Sequence, residues 1–371
     1  MRTAATELLG VDTPIVAFSH CRDVVAAVTN AGGFGVLGAV KMTPEELETE
    51  LAWIDQQVRG RPYGLDVLVP TSLQDQARDD AAGRRIPAEH REFVERLLQD
   101  AEVIGPGQVF HPEDGPDTFS VVPHDVQRLL DVAFAHPIKL IACALGAPPP
   151  YLVERARAAG VPIAALVGTV EHALKQKDRG VDLIVAQGTE AGGHTGEIGT
   201  MVLTPAVVDA VAPLPVLAAG GIMTGRQVAA ALTLGAAGVW TGSIWLLTDE
   251  ADVSRSVQER FLAAGCSDTI RSTARTGKPA RQLRSGWHEA WHAPDAPAPL
   301  PMPLQHMLSN PAISLISRAA DAGSAEAGRL NTYYVGQGVG MVNRRRSVKS
   351  VMHDLLEGTA TAYTDLSELL G

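Results

Sequence analysis

Residues 183–196 read Leu183-Ile-Val-Ala-Gln-Gly-Thr-Glu-Ala-Gly-Gly-His-Thr-Gly196. The stretch opens as a short apolar run, residues 183–186, of the length and character of a strand buried on both faces. It passes at once into glycine and polar residues, with Gly188, Gly192, Gly193 and Gly196 around Gln187, Thr189, Glu190 and His194. Glycines in that density allow unusual backbone angles and a close approach of main chain to a ligand. A single imidazole among them has little apolar surface to pack against. Loops that leave buried parallel strands are where such folds build their sites. A surface loop with an incidental histidine is the plainer alternative.

Working outward from this joint, the same strand-then-helix rhythm recurs. Strand-like runs fall at residues 14–18, 34–39, 63–69, 138–145, 162–167, 183–187, 215–219 and 238–243. Helical patterns separate most of them: residues 21–30 are rich in Ala and Val, and Thr43-Pro44-Glu45-Glu46 reads as an N-cap, a proline at the first helical position and acids in the first turn. Ala31-Gly32, Ala159-Gly160 and Arg179-Gly180 each close a helix before a strand, where a left-handed glycine is expected. Eight apolar strands alternating with helices indicate a parallel sheet closed into a (β/α)₈ TIM barrel, with an open doubly wound sheet as the competitor.

Two regions break the rhythm. Residues 71–124 are charged and irregular, an excursion between the third and fourth strands with a helix-like segment at 89–100. From about Asp249, amphipathic helices gather around the proline-rich residues 293–303. The expected division is a barrel over residues 1–250, carrying the excursion, and a mostly helical cap over 251–371, beside the barrel mouth.

Composition excludes several classes. The chain has 371 residues, 46% of them hydrophobic, and a net charge of −11, which argues against a nucleic-acid partner. Cys21, Cys143 and Cys266 are odd in number and far apart, with neither a disulfide framework nor zinc spacing. The N-terminus lacks an apolar signal core and no run is long enough to span a bilayer, so a soluble, cytoplasmic protein without a membrane partner is expected.

Two familiar motifs fail on context. Gly33-Phe-Gly35-Val-Leu-Gly38 matches a dinucleotide fingerprint, but here a helix precedes the glycines and a strand follows, the reverse of what the mechanism needs. His288-Glu289-Ala290-Trp291-His292 matches a zinc-binding helix, yet Gly286 and Pro294 leave room for only a short turn and no third ligand follows at the usual spacing. A chance match is preferred, and no metal site is assigned. Gly220-Gly221 after the seventh strand and Trp240-Thr241-Gly242-Ser243 after the eighth are better placed. Backbone N–H groups after those two strands form the usual phosphate cradle of a barrel.

The motifs from Gln187 to Gly196, Ala218-Ala-Gly-Gly-Ile222 and Ala229-Ala-Ala-Leu through Gly238, with Ala31 to Gly38, Gly146-Ala-Pro-Pro-Pro150 and Gly336-Gln-Gly-Val-Gly340, resemble the nitronate monooxygenase family. That family is similar in turn to FMN-dependent enoyl-thioester reductases and NADH:quinone reductases. The resemblance implies an FMN-containing barrel with a helical cap. It places the FMN phosphate on Gly220, Gly221 and the turn Trp240, Thr241, Gly242 and Ser243. Gln187, Gly192 and Gly193 would lie along the flavin, with Ala17, Phe18 and Ser19 beneath its ring. It gives His194 the role of catalytic base or substrate orienter, which suits an imidazole whose pKa lies near working pH.

The chain departs from the family pattern at three places. Phe18-Ser19-His20-Cys21 replaces a methionine-containing turn, Asp66 stands where an asparagine usually contacts flavin, and Thr241-Gly242-Ser243 replaces Met-Gly-Thr. His20 and Asp66 would then join His194 at the site; alternatively His20 caps the following helix and Asp66 is a solvated loop acid. The resemblance implies oxidation of a nitronate by O₂ to a carbonyl compound and nitrite. The alternatives are an NAD(P)H-dependent reductase of an enoyl thioester or quinone, and a flavin-binding barrel with little catalysis. The use of NAD(P)H, the physiological substrate and a homodimeric state are left open.

Overall fold

The computed structural model describes residues 1–40, 42–68, 86–112, 123–143 and 146–369. Parts of the expected excursion, at 71–85 and 113–122, and the ends of two expected strands, at 69 and 144–145, lie outside the described residues.

Eight parallel strands form the expected closed barrel, a TIM barrel, and all eight coincide with the runs read from sequence. A short helix α1 (Ala4–Leu9) precedes them. The order then runs β1 (Ile15–Ser19), α2 (Arg22–Asn30), β2 (Phe34–Gly38), α3 (Pro44–Val58) and β3 (Gly64–Val67). After α4 (Ala88–Asp100) and α5 (Pro123–Ala135) come β4 (Ile141–Cys143), α6 (Pro150–Ala159), β5 (Ile163–Val167), α7 (Val170–Asp178) and β6 (Leu183–Gln187). A two-residue strand β7 (Gly193–His194) leaves the barrel. The barrel resumes with α8 (Thr200–Val211), β8 (Val216–Ala219), α9 (Gly225–Thr233) and β9 (Gly238–Thr241), which pairs with β1 and closes the sheet.

Alternation along each strand sorts side chains into two layers. Leu65, Val67, Ile141, Cys143, Ile184 and Ala186 face outward and pack against helix residues such as Leu47, Leu51 and Leu130. Val16, Phe34, Val36, Leu140, Ala142, Leu183, Val185, Leu217 and Trp240 face inward and fill the barrel. Ala5 and Leu9 of α1 join that interior cluster, so α1 plugs the end of the barrel opposite the strand C-termini. The Thr43 expectation holds: Thr43 and Glu46 form a reciprocal capping box with Pro44 at the helix start.

The remaining chain builds a cap that is not only helical. Its elements are α10 (Arg255–Ala263), β10 (Thr269–Ser272), β11 (Ala280–Leu283), α11 (Gly286–Trp291), α12 (Leu304–Asp321) and α13 (Ala325–Leu330). Strands β10 and β11 form an antiparallel sheet with β7, so the loop quoted at the outset enters the cap as its third strand. The described part of the excursion belongs here too: Phe93, Val94 and Leu98 of α4 share a core with Trp287, Trp291, Leu308 and Ile316. The last helix, α14 (Val348–Leu369), returns to the barrel and packs its Val351, Met352 and Leu355 with residues of α2 and α9. Among the described residues no helix is long and apolar enough to cross a membrane.

Candidate active site at the barrel mouth

The C-terminal ends of β1, β3, β6, β8 and β9 carry the residues singled out from sequence, and the barrel gathers these ends at one mouth. Gln187 ends β6 in register with Ala219 and, by alternation with Leu183 and Val185, points inward. Gly220 and Gly221 follow β8 with φ of 109° and 70°, angles that favour glycine. At Gly220 a Cβ would also fall 2.8 Å from Thr200 Oγ1 and 3.1 Å from the Gly188 carbonyl oxygen, so two loops meet there backbone to backbone.

Glu190 holds the loop after β6 in place. Its carboxylate accepts hydrogen bonds from the Thr200 N–H at 2.9 Å and the Thr200 hydroxyl at 2.9 Å, anchoring the loop to the positive end of α8. The cap grips the same loop from the other side. Arg281 Nε donates to the Thr189 carbonyl at 2.7 Å and its guanidinium also donates to Thr269 Oγ1 at 3.0 Å. The Gln337 N–H donates to the Glu190 carbonyl at 2.9 Å. Gly192 lies against Val335 and Gly336, and the Gly336 N–H donates to Ser243 Oγ at 2.8 Å, so the turn after β9 is tied to the same segment.

His194 sits where this clamp converges. It pairs with Ala280, and its neighbour Gly193 with Arg281, across β7 and β11. The imidazole is half-buried, and its Nδ1 is shielded with no hydrogen-bond partner among the described residues. Burial lowers its pKa below the ordinary value; the charge of Lys278 acts in the same direction, and a hydrogen bond to the Pro279 carbonyl opposes them. The ring is therefore neutral at neutral pH and available to accept a proton. The exposed imidazole expected of a free loop is instead a strand residue held between barrel and cap.

The other singled-out residues divide by direction. Phe18 faces inward and stacks on Trp240, ring centroids 6.2 Å apart, while His20 meets the edge of Phe18 at 5.1 Å. His20 is exposed at the rim with Nδ1 2.8 Å from the Gly38 carbonyl oxygen; Cys21, not His20, occupies the N-cap position of α2. Asp66 faces the interior, only 2% exposed, which overturns the solvated-loop reading. Ala17 packs in the outer layer, Ser19 Oγ accepts the Cys21 N–H at 3.1 Å, and Thr241 Oγ1 donates to the Val16 carbonyl at 2.9 Å. These three turn their side chains to the wall and leave only backbone to a ligand. A Cβ at Gly242 would meet nothing within 4 Å, so that turn is open.

Sequence reasoning passed over Glu190, Thr200, Arg281 and Lys278. Glu190 lay within the quoted stretch, but nothing local shows that it grips a helix ten residues on. Arg281 gives no signal until β11 is known to pair with β7. His288 and His292 are used within the cap: His288 Nδ1 lies 3.2 Å from both Ser285 N and Ser285 Oγ in a capping box, and His292 Nδ1 contacts the His288 carbonyl at 2.6 Å.

The residues present fit a phosphorylated flavin. Glycine turns end the last two barrel strands, an aromatic pair lines the interior beside them, and shielded polar atoms of Asp66, His194 and Thr195 have no hydrogen-bond partner among the described residues. Fold and site together define an enzyme of the cofactor-binding TIM-barrel class.

The nitronate monooxygenase family profile matches residues 4–358. A Mycobacterium tuberculosis protein named as a candidate monooxygenase is 55% identical over 363 residues, 96% of each chain. A (3aS,4S,5R,7aS)-5-hydroxy-7a-methyl-1-oxo-octahydro-1H-indene-4-carboxyl-CoA dehydrogenase of Rhodococcus jostii is 34% identical over 77% of this chain and 66% of its own length. Among solved structures, a nitroalkane oxidase from Streptomyces ansochromogenes is similar with a TM-score of 0.79 at 29% identity, covering 98% of this chain and 100% of that one. The chain belongs to the nitronate monooxygenase family and is a flavin-dependent oxidoreductase.

Proposed function

We propose that the protein binds FMN at the barrel mouth and oxidises a nitronate, or the nitroalkane that gives rise to it, with O₂ to a carbonyl compound and nitrite. The observation that carries this reading is His194: one neutral imidazole, clamped by both barrel and cap, on the loop beside the glycine cradle. In this reading the turns at Gly220–Gly221 and after β9 hold the phosphate, while Gln187 and Gly192–Gly193 lie along the ring. FMN, when bound, supplies the electron-accepting chemistry and the reaction with O₂. His194 takes the acidic proton from the carbon beside the nitro group, or orients a nitronate that is already ionised. The cap excludes water from that proton transfer.

Replacing His194 with Asn keeps a polar side chain on β7 and removes the base. Turnover of a neutral nitroalkane should fall by about 10²–10⁴-fold, with the flavin spectrum and stoichiometry retained. Unchanged turnover would remove His194 from the mechanism, and a purified protein that takes up no flavin would end the reading altogether.

A second reading rests on the relative named as a CoA-thioester dehydrogenase: NAD(P)H-dependent reduction of an enoyl thioester or quinone at the same cofactor. Anaerobic mixing separates the two. Flavin bleaching by nitronate and not by NADH or NADPH supports the first, and the reverse supports the second.

A further inference from the structure

Across the eight barrel strands, Asp66 is the one residue that would carry a full charge in water at neutral pH. Leu65 and Val67 on either side of it face the helices, so Asp66 faces the barrel interior near its mouth. Its strand neighbours offer it nothing: the register sets Gly38 of β2 on one side and Ala142 of β4 on the other. Its carbonyl accepts the Ala39 N–H at 2.8 Å, but its carboxyl Oδ1 is shut off from water with no hydrogen-bond partner among the described residues. Above Gly38 lie the rings of Phe18 and His20, which a Cβ there would meet at 2.8 and 2.6 Å.

A carboxylate buried in this way, with an oxygen that meets no donor among the described residues, would be far costlier than the neutral acid. Burial raises its pKa from 3.8 to about 8. The groups around it agree: β2, β5, β6, β8 and β9 present no titratable side chain, the Cys143 thiol of β4 faces the outer layer, and the histidine on the β1 side, His20, lies at the rim against the Gly38 carbonyl. A neutral carboxylic acid has a proton to donate, which an ionised one lacks. A flavin ring is rich in acceptors and its phosphate is anionic, so it would welcome the acid and oppose the carboxylate.

Building on the flavin reading above, we propose that Asp66 enters the cofactor site as a neutral carboxylic acid that donates a hydrogen bond to the flavin ring, so that its ionisation loosens the cofactor. Asp66 is then a positioning residue for the cofactor, and FMN affinity is coupled to pH through it. The coupling has a sign. A cofactor that selects the protonated form binds at full strength below the Asp66 pKa and weakens above it.

The test measures FMN dissociation constants for the wild-type protein and Asp66→Asn from about pH 7 to about pH 9.5, where wild-type affinity should fall about tenfold per pH unit above the Asp66 pKa. Asp66→Asn, whose amide donates at every pH, should bind with the wild type's low-pH affinity and without that slope. The infrared band of a protonated carboxylic acid should be present in the flavin-free wild-type protein at neutral pH and missing from the variant. Identical pH dependences for the two proteins would overturn the proposal, as would an Asp66→Asn protein that binds FMN more than about tenfold tighter at neutral pH, the mark of a repelling carboxylate. Failure of both folded proteins to bind FMN would instead overturn the flavin reading, and the donor role with it.

Discussion

At the scale of single residues, proton linkage sets Asp66 and His194 apart. Asp66 has its pKa raised by burial from 3.8 to about 8. The folded flavin-free protein therefore keeps a proton that the unfolded chain gives up. The sign follows: Asp66 does not weaken the fold below about pH 4, and each pH unit from there toward 8 removes up to about 1.4 kcal/mol of stability. Asp66→Asn should accordingly unfold at higher temperature than wild type at pH 8, with the difference shrinking toward pH 4. A difference that does not vary with pH would mean that Asp66 does not titrate in that range. His194 runs the other way. Its pKa is lowered, chiefly by burial, so the base form persists into mildly acidic solution. In the proposed reaction, kcat/KM for a neutral nitroalkane should stay level down through about pH 6.5, the ordinary value for imidazole, and fall only below it. An acid limb centred above that value would contradict a desolvated His194 as the base.

At the scale of elements, the cap helix α11 shows how a sequence motif and its structural use diverge. His288 is 1% exposed, and its Nδ1 completes a capping box with Ser285 at the start of the helix. Burial first, then the charges of His292, Arg275, Arg284 and Arg260, lower its pKa to about 3. Here the unfolded chain takes the proton first. Stability from this site is fully present above about pH 6.5 and is lost as pH falls toward 3, by about 1.4 kcal/mol per unit at most. Glutamine at the third helical position also accepts the cap N–H but does not titrate. His288→Gln should therefore match wild type near neutrality and lose less stability between about pH 6.5 and pH 4, measured by urea unfolding at each pH. Equal acid sensitivity would place the loss elsewhere.

The elements also show what the sequence made legible. Barrel strands are apolar runs closed by glycines, so local pattern alone reveals them. The cap sheet has no such pattern: Thr269-Ile-Arg-Ser272 and Ala280-Arg-Gln-Leu283 are short and carry arginines, and β7 is a glycine and a histidine. Strands β10 and β11 pair with each other across a short connection, and β7 joins them only through β11, more than eighty residues further along the chain. The positions of Asp66 and His194 share that dependence. Residue type marked both as candidates, but burial, which sets the protonation state of each, comes from strands and cap segments distant in sequence.

At the scale of the whole molecule, barrel and cap are not two beads on a string. The chain crosses between them at β7, again at the α4 segment whose Phe93 and Leu98 complete the cap core, and once more when α14 returns to the barrel helices. Arg281 and Gln337 of the cap side hold the carbonyls of Thr189 and Glu190 in the barrel loop. An opening that freed the cap would strip β7 from its sheet and expose Trp287 and Trp291. Barrel and cap should therefore unfold in one cooperative transition. The tryptophans allow a direct check, because Trp287 and Trp291 report the cap while Trp53, Trp240 and Trp245 lie on barrel elements and the turn after β9. In a Trp287→Phe/Trp291→Phe protein, fluorescence follows the barrel alone and far-ultraviolet circular dichroism follows both parts. Their urea midpoints should coincide in the same samples. Arg281→Ala, which releases the loop carrying His194 from its cap donor, should lower that shared midpoint without splitting it. Two separated midpoints in the parent double variant would show instead that the cap opens while the barrel stays folded, and His194 would then owe its place to the barrel loop and the Glu190 anchor alone.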